Sequence, residues 1–114
     1  MGKIDRKSIK VLWVSLVKFP PLCEQLGETI PAHCGWMYSS AKALLRMMPE
    51  VRLGVMVYSY GRSYERYEID GVTYYLIPTG RIDRTSKKQI ETCRRAIRDF
   101  APDLMHIHGT EHSL

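Results

Sequence analysis

The sequence predicts an α/β domain of three layers, a mainly parallel sheet with an added β-hairpin and helices on both faces. Three observations carry that expectation. Ile9–Val17 (IKVLWVSLV) is almost continuously apolar and rich in β-branched residues, as a strand covered on both faces must be. Strand-like runs then alternate with segments of helical period, the pattern of β–α–β units. Asp70-Gly71, between two strand-like runs, suits the positive φ angles of a two-residue hairpin turn.

Taken in order, the opening strand is followed by Lys18–Cys34, a stretch holding Pro20, Pro21, Gly27 and Pro31 that reads as a long irregular connection. Gly35 opens a helix in which Met37, Ala41, Leu44, Leu45 and Met48 recur at helical spacing until Pro49 stops it. Arg52–Tyr58 is a second short apolar strand, and Tyr67–Ile69 with Val72–Ile77 forms the hairpin. Ser86–Phe100 is the clearest helix. Ser86 and Gln89 have capping-box spacing, and Ile90, Cys93, Ile97 and Phe100 make one apolar stripe, with Cys93 as a small core residue. Pro102 ends that helix, and Asp103–His108 (DLMHIH) is the last strand, closed by Gly109.

A chain of 114 residues, 45% hydrophobic and 25% charged, has the composition of one ordinary globular domain. Its formal charge of +5 is concentrated: Arg81 to Asp99 holds seven basic and three acidic residues. That segment is either a solvated helix face or a surface for anionic lipid head groups or a phosphorylated acceptor. No aromatic residue is interleaved with the charges before Phe100, which argues against nucleic acid. Cys23, Cys34 and Cys93 are odd in number and lack CxxC spacing, as in a reducing compartment. Lys3, Arg6, Lys7 and Lys10 before Val11–Val17 imitate a signal peptide, but no small-x-small site follows. The apolar run is also too short to cross a bilayer. A cytoplasmic location is the expectation.

Ligands of an open parallel sheet bind at the carboxyl ends of its strands. The connection after the first strand, the turn at Gly35 and the segment His106–Gly109 all fall there. Gly35 is either a plain turn or a helix start that lets a phosphate approach free N–H groups. His106 and His108, one residue apart on a strand, point to the same side of the sheet. His106 reads as a buried core histidine, and His108, nearer the strand's end, as the functional one. The series His106, His108, Glu111, His112 resembles the metal-binding H-x-H-x-D-H of the metallo-β-lactamase fold but is one residue too long, and the β/α order before it argues against that mostly antiparallel fold. No metal is expected. Neither Cys23 nor Cys34 has a setting that would lower its pKa, beyond the nearness of His33 to Cys34.

The opening strand KVLWVS, the Pro-rich connection into Cys34-Gly35-Trp36-Met37, the hairpin Asp70–Tyr74 and above all Pro102–Glu111 (PDLMHIHGTE) together resemble the N-terminal domain of family 4 retaining glycosyltransferases. Those enzymes have two Rossmann-like domains facing across a cleft, the GT-B architecture. The resemblance implies that residues 1–114 form an incomplete N-terminal, acceptor-side domain, with the donor-binding C-terminal domain outside the chain. It implies a nucleotide-diphosphate sugar as co-substrate, with no bound cofactor or metal, and a glycan or lipid-linked acceptor of surface polysaccharide synthesis. His108 would approach the reacting centre of the donor sugar. Gly35, Cys34, Gly109 and Glu111 would lie on the donor side, with Cys34 standing where the family commonly has a first glycine. Phe19, Pro20, Glu24, His33 and Trp36 would line the acceptor side. The fragment alone is expected to be inactive, its partners being its own C-terminal domain and, through the basic segment, the inner face of an anionic membrane. The alternative is a non-catalytic α/β module that binds a small anion or a protein in the same crevice.

Overall fold

The computed structural model describes residues 8–31, 35–60, 63–79 and 87–108. Five strands form one sheet in the order β3-β4-β2-β1-β5. The strands are β1 (Ile9–Ser15), β2 (Val51–Tyr60), β3 (Glu65–Ile69), β4 (Val72–Thr79) and β5 (Leu104–Ile107). All pairings are parallel except β3 with β4. Helices α1 (Pro20–Leu26) and α2 (Gly35–Met47) cover one face, and α3 (Lys87–Phe100) covers the other. This is a three-layer α/β arrangement compatible with a Rossmann-like domain.

Side-chain alternation along β1 sorts the core into two halves. Trp13 joins Phe19, Leu22, Met37, Ala41 and Tyr74 on the α1/α2 side. Leu12 and Val14 join Met56, Tyr75, Ala96 and Phe100 on the α3 side. Both halves are apolar, which is why the first strand carries no polar alternation. Gly54, in the middle of β2, lets Phe100 and Leu12 pack close over the sheet. A Cβ there would stand 3.0 Å from the Phe100 ring and 3.1 Å from Leu12 Cδ1. The hairpin turn forms as its residues dictate, with φ of 52° at Asp70 and 80° at Gly71.

The connection after β1 is not irregular throughout, because Pro20–Leu26 forms α1. Its prolines start a helix rather than prevent one: they occupy the first helical positions, where the missing N–H has no intrahelical partner to lose. Gly27, at φ 70°, ends the helix in the left-handed conformation, and Lys18 closes the segment through an ion pair to Glu28 at 2.7 Å.

The stripe of α3 also differs from its sequence reading. Gln89, Ala96 and Phe100 face the sheet, Cys93 and Ile97 are half-buried, and Ile90 is 45% exposed. The buried line therefore runs 89, 93, 96, 100, one position back from Ile90 at its start. Ser86, the expected cap, lies outside the described residues. Burial raises the Cys93 thiol pKa, and its sulfur lies 4.0 Å from Tyr58 Oη.

Pro102-Asp103 joins α3 to β5 through contacts with Lys10. The Asp103 carboxylate accepts from the Lys10 N–H at 2.8 Å, and the Asp103 N–H donates to the Lys10 carbonyl at 2.7 Å. The Lys10 ammonium donates to the Phe100 carbonyl at 3.1 Å, satisfying an end of α3 that has no further helical partner. Ala101 takes a left-handed turn, φ 53°, to make that exit. Among the described residues no helix is long and apolar enough to cross a membrane.

Candidate functional site

β5 pairs with β1 in register, Trp13 opposite His106 and Val14 opposite Ile107, and the ladder continues with the His108 N–H donating to the Val14 carbonyl at 2.8 Å. The two histidines therefore stand on the same face as Trp13, the side covered by α2. Their rings are 4.0 Å apart and tilted by 33°. Trp13 supports both, at 6.0 Å from His106 and 4.5 Å from His108. Beyond His108 stands Trp36, in the first turn of α2, with its ring 6.3 Å away at 62°. Four rings thus form a continuous wall from the middle of β5 to the start of α2.

The depths of the histidines are the reverse of the sequence reading. His106 is exposed and His108 is half-buried. The cause is the position of β5 at the edge of the sheet. Leu104, Met105 and Ile107 are 60%, 40% and 51% exposed, so a mid-strand residue there has no cover on its outer flank. His108, past the strand's end, is instead enclosed by Trp13, Trp36 and the His106 ring. Its Nε2 is shielded from solvent and has no hydrogen-bond partner among the described residues. Burial, and secondarily the neighbouring His106, hold its pKa below the ordinary 6.5. The ring is neutral at pH 7 and can both donate and accept a proton in hydrogen bonds.

The start of α2 is placed by Ser15, fully buried at the end of β1. Its hydroxyl donates to the Val17 carbonyl at 2.8 Å and lies 3.9 Å from Met37 Sδ. Met37 turns inward, and Trp36 outward with 65% of its surface exposed. A Cβ at Gly35 would meet none of the described residues within 4 Å.

The remaining expected residues divide. Phe19 belongs to the core: it is 1% exposed and packs edge-on against Trp13 and Tyr74, so it is not an open acceptor wall. Pro20 and Glu24 line an open depression of about 530 Å³ with Pro21, Gln25, Tyr38, Ile69 and Asp70. Neither His108 nor Trp36 borders it, so these acceptor-side residues are not gathered with the histidine. His33, Cys34, Gly109 and Glu111 lie outside the described residues, as does His112. Among the described residues no three His, Cys, Asp or Glu side chains converge as metal ligands.

Trp13 is the member that sequence reasoning passed over. It reads as one more apolar residue of a buried strand, and only the β1–β5 register makes it the support of both imidazoles. An apolar groove of about 580 Å³ continues from His106 between Ile9, Val11, Leu44, Met48 and Leu104.

No family model, curated protein or solved structure matches this chain.

Proposed function

We propose that the chain is the acceptor-side N-terminal domain of a GT-B retaining glycosyltransferase, acting on a nucleotide-diphosphate sugar. The observation that supports this reading best is the placement of His108. A neutral imidazole stands past the end of a parallel strand, beside the first turn of α2, where ligands of open α/β sheets bind. There it would position a sugar hydroxyl or stabilise charge as the anomeric carbon loses its diphosphate. The anomeric carbon leaves the nucleoside diphosphate and bonds the acceptor oxygen through an oxocarbenium-like transition state, and the acceptor's proton passes to the departing diphosphate. The N–H groups and positive dipole end of the first turn of α2 suit the anionic leaving group.

On this reading the donor's nucleotide is held by a second domain beyond these residues, and the 114-residue chain alone transfers no sugar. The acceptor is a glycan or lipid-linked glycan at the cytoplasmic face of a membrane. The exposed Lys87, Lys88, Arg94, Arg95 and Arg98 of α3 supply a peripheral contact with anionic lipid.

The test is release of nucleoside diphosphate by the full reading frame, incubated with a panel of nucleotide sugars and acceptors. His108→Ala is expected to lower turnover by about 10²-fold with the fold intact. Turnover in the 114-residue chain alone, or an unchanged rate in the variant, overturns the assignment.

A further inference from the structure

On the α3 face, where the start of β3 meets the last turns of α3, Tyr64, Arg66, Arg95, Arg98 and Asp99 line an open depression of about 450 Å³. Three guanidinium groups from two distant parts of the sequence meet there. Arg95 has an acid one turn away on each side, Glu91 and Asp99, at the spacing that favours helical ion pairs. Among the described residues it pairs with neither. Its guanidinium lies instead 4.4 Å from the centre of the Tyr64 ring. Asp99 turns toward the sheet, held by Arg66 at 3.1 Å and by the Tyr75 hydroxyl at 2.6 Å. The ion pairs of the described residues are Lys18–Glu28, Arg66–Glu68 and Arg66–Asp99, so Arg98 has no acidic partner among them either. The lining therefore holds three positive charges against one engaged carboxylate. Like charges one turn apart oppose a helix, and an anion from outside would relieve that repulsion.

The arrangement narrows the anion. Stacking on Tyr64 orients the planar Arg95 guanidinium and leaves its edge N–H groups to donate. Burial raises the Tyr64 pKa, so its hydroxyl also stays a donor at neutral pH. A carboxylate carries one charge and is satisfied by a single arginine fork. A phosphomonoester carries nearly two charges and three terminal oxygens, enough for forks from more than one arginine. A phosphodiester has a single charge and two free oxygens. Nucleic acid is disfavoured further, because Arg95 lies over the Tyr64 ring where a base would stack.

We propose that this depression is a phosphomonoester site, with Arg95 and Arg98 binding the terminal oxygens, the Tyr64 hydroxyl donating to one of them and Arg66 adding to the positive field. It lies on the opposite face of the sheet from His108 and does not depend on the transferase reading.

The probes are methyl phosphate and dimethyl phosphate, titrated into the 114-residue chain at pH 7.5 and constant ionic strength, with amide NMR shifts as the readout. Methyl phosphate is expected to saturate at millimolar concentration with shifts centred on Tyr64–Arg66 and Arg95–Asp99, and dimethyl phosphate to bind about tenfold more weakly or worse. Arg95→Gln and Arg98→Gln should each weaken methyl phosphate about tenfold. Arg94→Gln removes the same charge from the same helix outside the depression, and should change binding no more than about twofold. Amide spectra check that these substitutions at exposed positions leave the fold unchanged. No saturation by about 20 mM methyl phosphate overturns the site, as does equal affinity for the diester, or an equal loss in Arg94→Gln. Vesicles of phosphatidic acid and of phosphatidylglycerol, matched in surface charge, separate the sources of the monoester. Preference for phosphatidic acid that Arg95→Gln removes supports the site with a lipid head group as its ligand. Equal binding to both vesicles, with methyl phosphate still preferred to the diester, supports it with a soluble one.

Discussion

The imidazoles of His106 and His108 lie 4.0 Å apart on one face of β5, the first exposed and the second enclosed between two tryptophans. Enclosure costs the His108 imidazole its hydration when charged, and the neighbouring His106 ring adds to that cost. His108 therefore titrates below 6.5 in the folded chain, while the unfolded chain takes up its proton near that value. Between the two pKa values the unfolded state binds more protons, so stability falls as pH drops through 6.5 and is restored above it. Urea unfolding from pH 7.5 to 5 should show this loss, and His108→Gln should flatten it. The same slope in both proteins would remove His108 as its source.

The contacts of Asp103 with Lys10 fix the edge strand to the sheet. Asp103→Ala leaves the Lys10 N–H without its carboxylate and is expected to cost about 1 kcal/mol, since the site is exposed to water. Asp103→Asn, which keeps an acceptor oxygen, should recover most of it. The urea midpoint measures both, and amide exchange in β5 should quicken more than in β2.

Gly54 sits under the Phe100 ring, where an added methyl group would stand 3.0 Å from the ring and force it or Leu12 to shift. Gly54→Ala should destabilise by about 1–3 kcal/mol through overpacking, despite the better strand-forming tendency of alanine. Pairing it with Phe100→Leu should restore part of the loss. Thermal unfolding of the two single variants and the double variant reads the coupling, and strict additivity would mean that the ring is not the obstacle.

Five exposed basic residues of α3 face away from the sheet, with Glu91 and Asp99 among them. Arg95 lies over the Tyr64 ring at 4.4 Å, and Asp99 is held by Arg66 at 3.1 Å and by Tyr75 Oη at 2.6 Å. Asp99 is thus drawn toward β3 and β4, and five basic against two acidic exposed residues keep the face basic. Sedimentation with vesicles containing anionic lipid should show binding at low salt that is lost above a few hundred millimolar salt. Arg94→Glu with Arg98→Glu should abolish it, whereas indifference to salt would leave this face merely solvated.

Much of this architecture is legible in the sequence because it depends on local chemistry. Apolar β-branched runs specify covered strands, Asp70-Gly71 specifies its turn, and Pro102 specifies the end of α3, all through conformational preferences within a few residues. The helix at Pro20–Leu26 was hidden because proline reads as a breaker unless the helix start is already known. The tilt of the α3 stripe toward Gln89 was hidden because the orientation of a helix depends on what it meets.

The same division holds at the candidate site. Sequence alone determined that His106 and His108 share a face, since a strand alternates its side chains with period two. Which of them is covered was decided by tertiary structure. β5 lies at the sheet edge, so His106 stays in water, while the ends of β1 and α2 bring Trp13 and Trp36 around His108. Burial is a property of neighbours that lie far away in the chain, and no local preference encodes it.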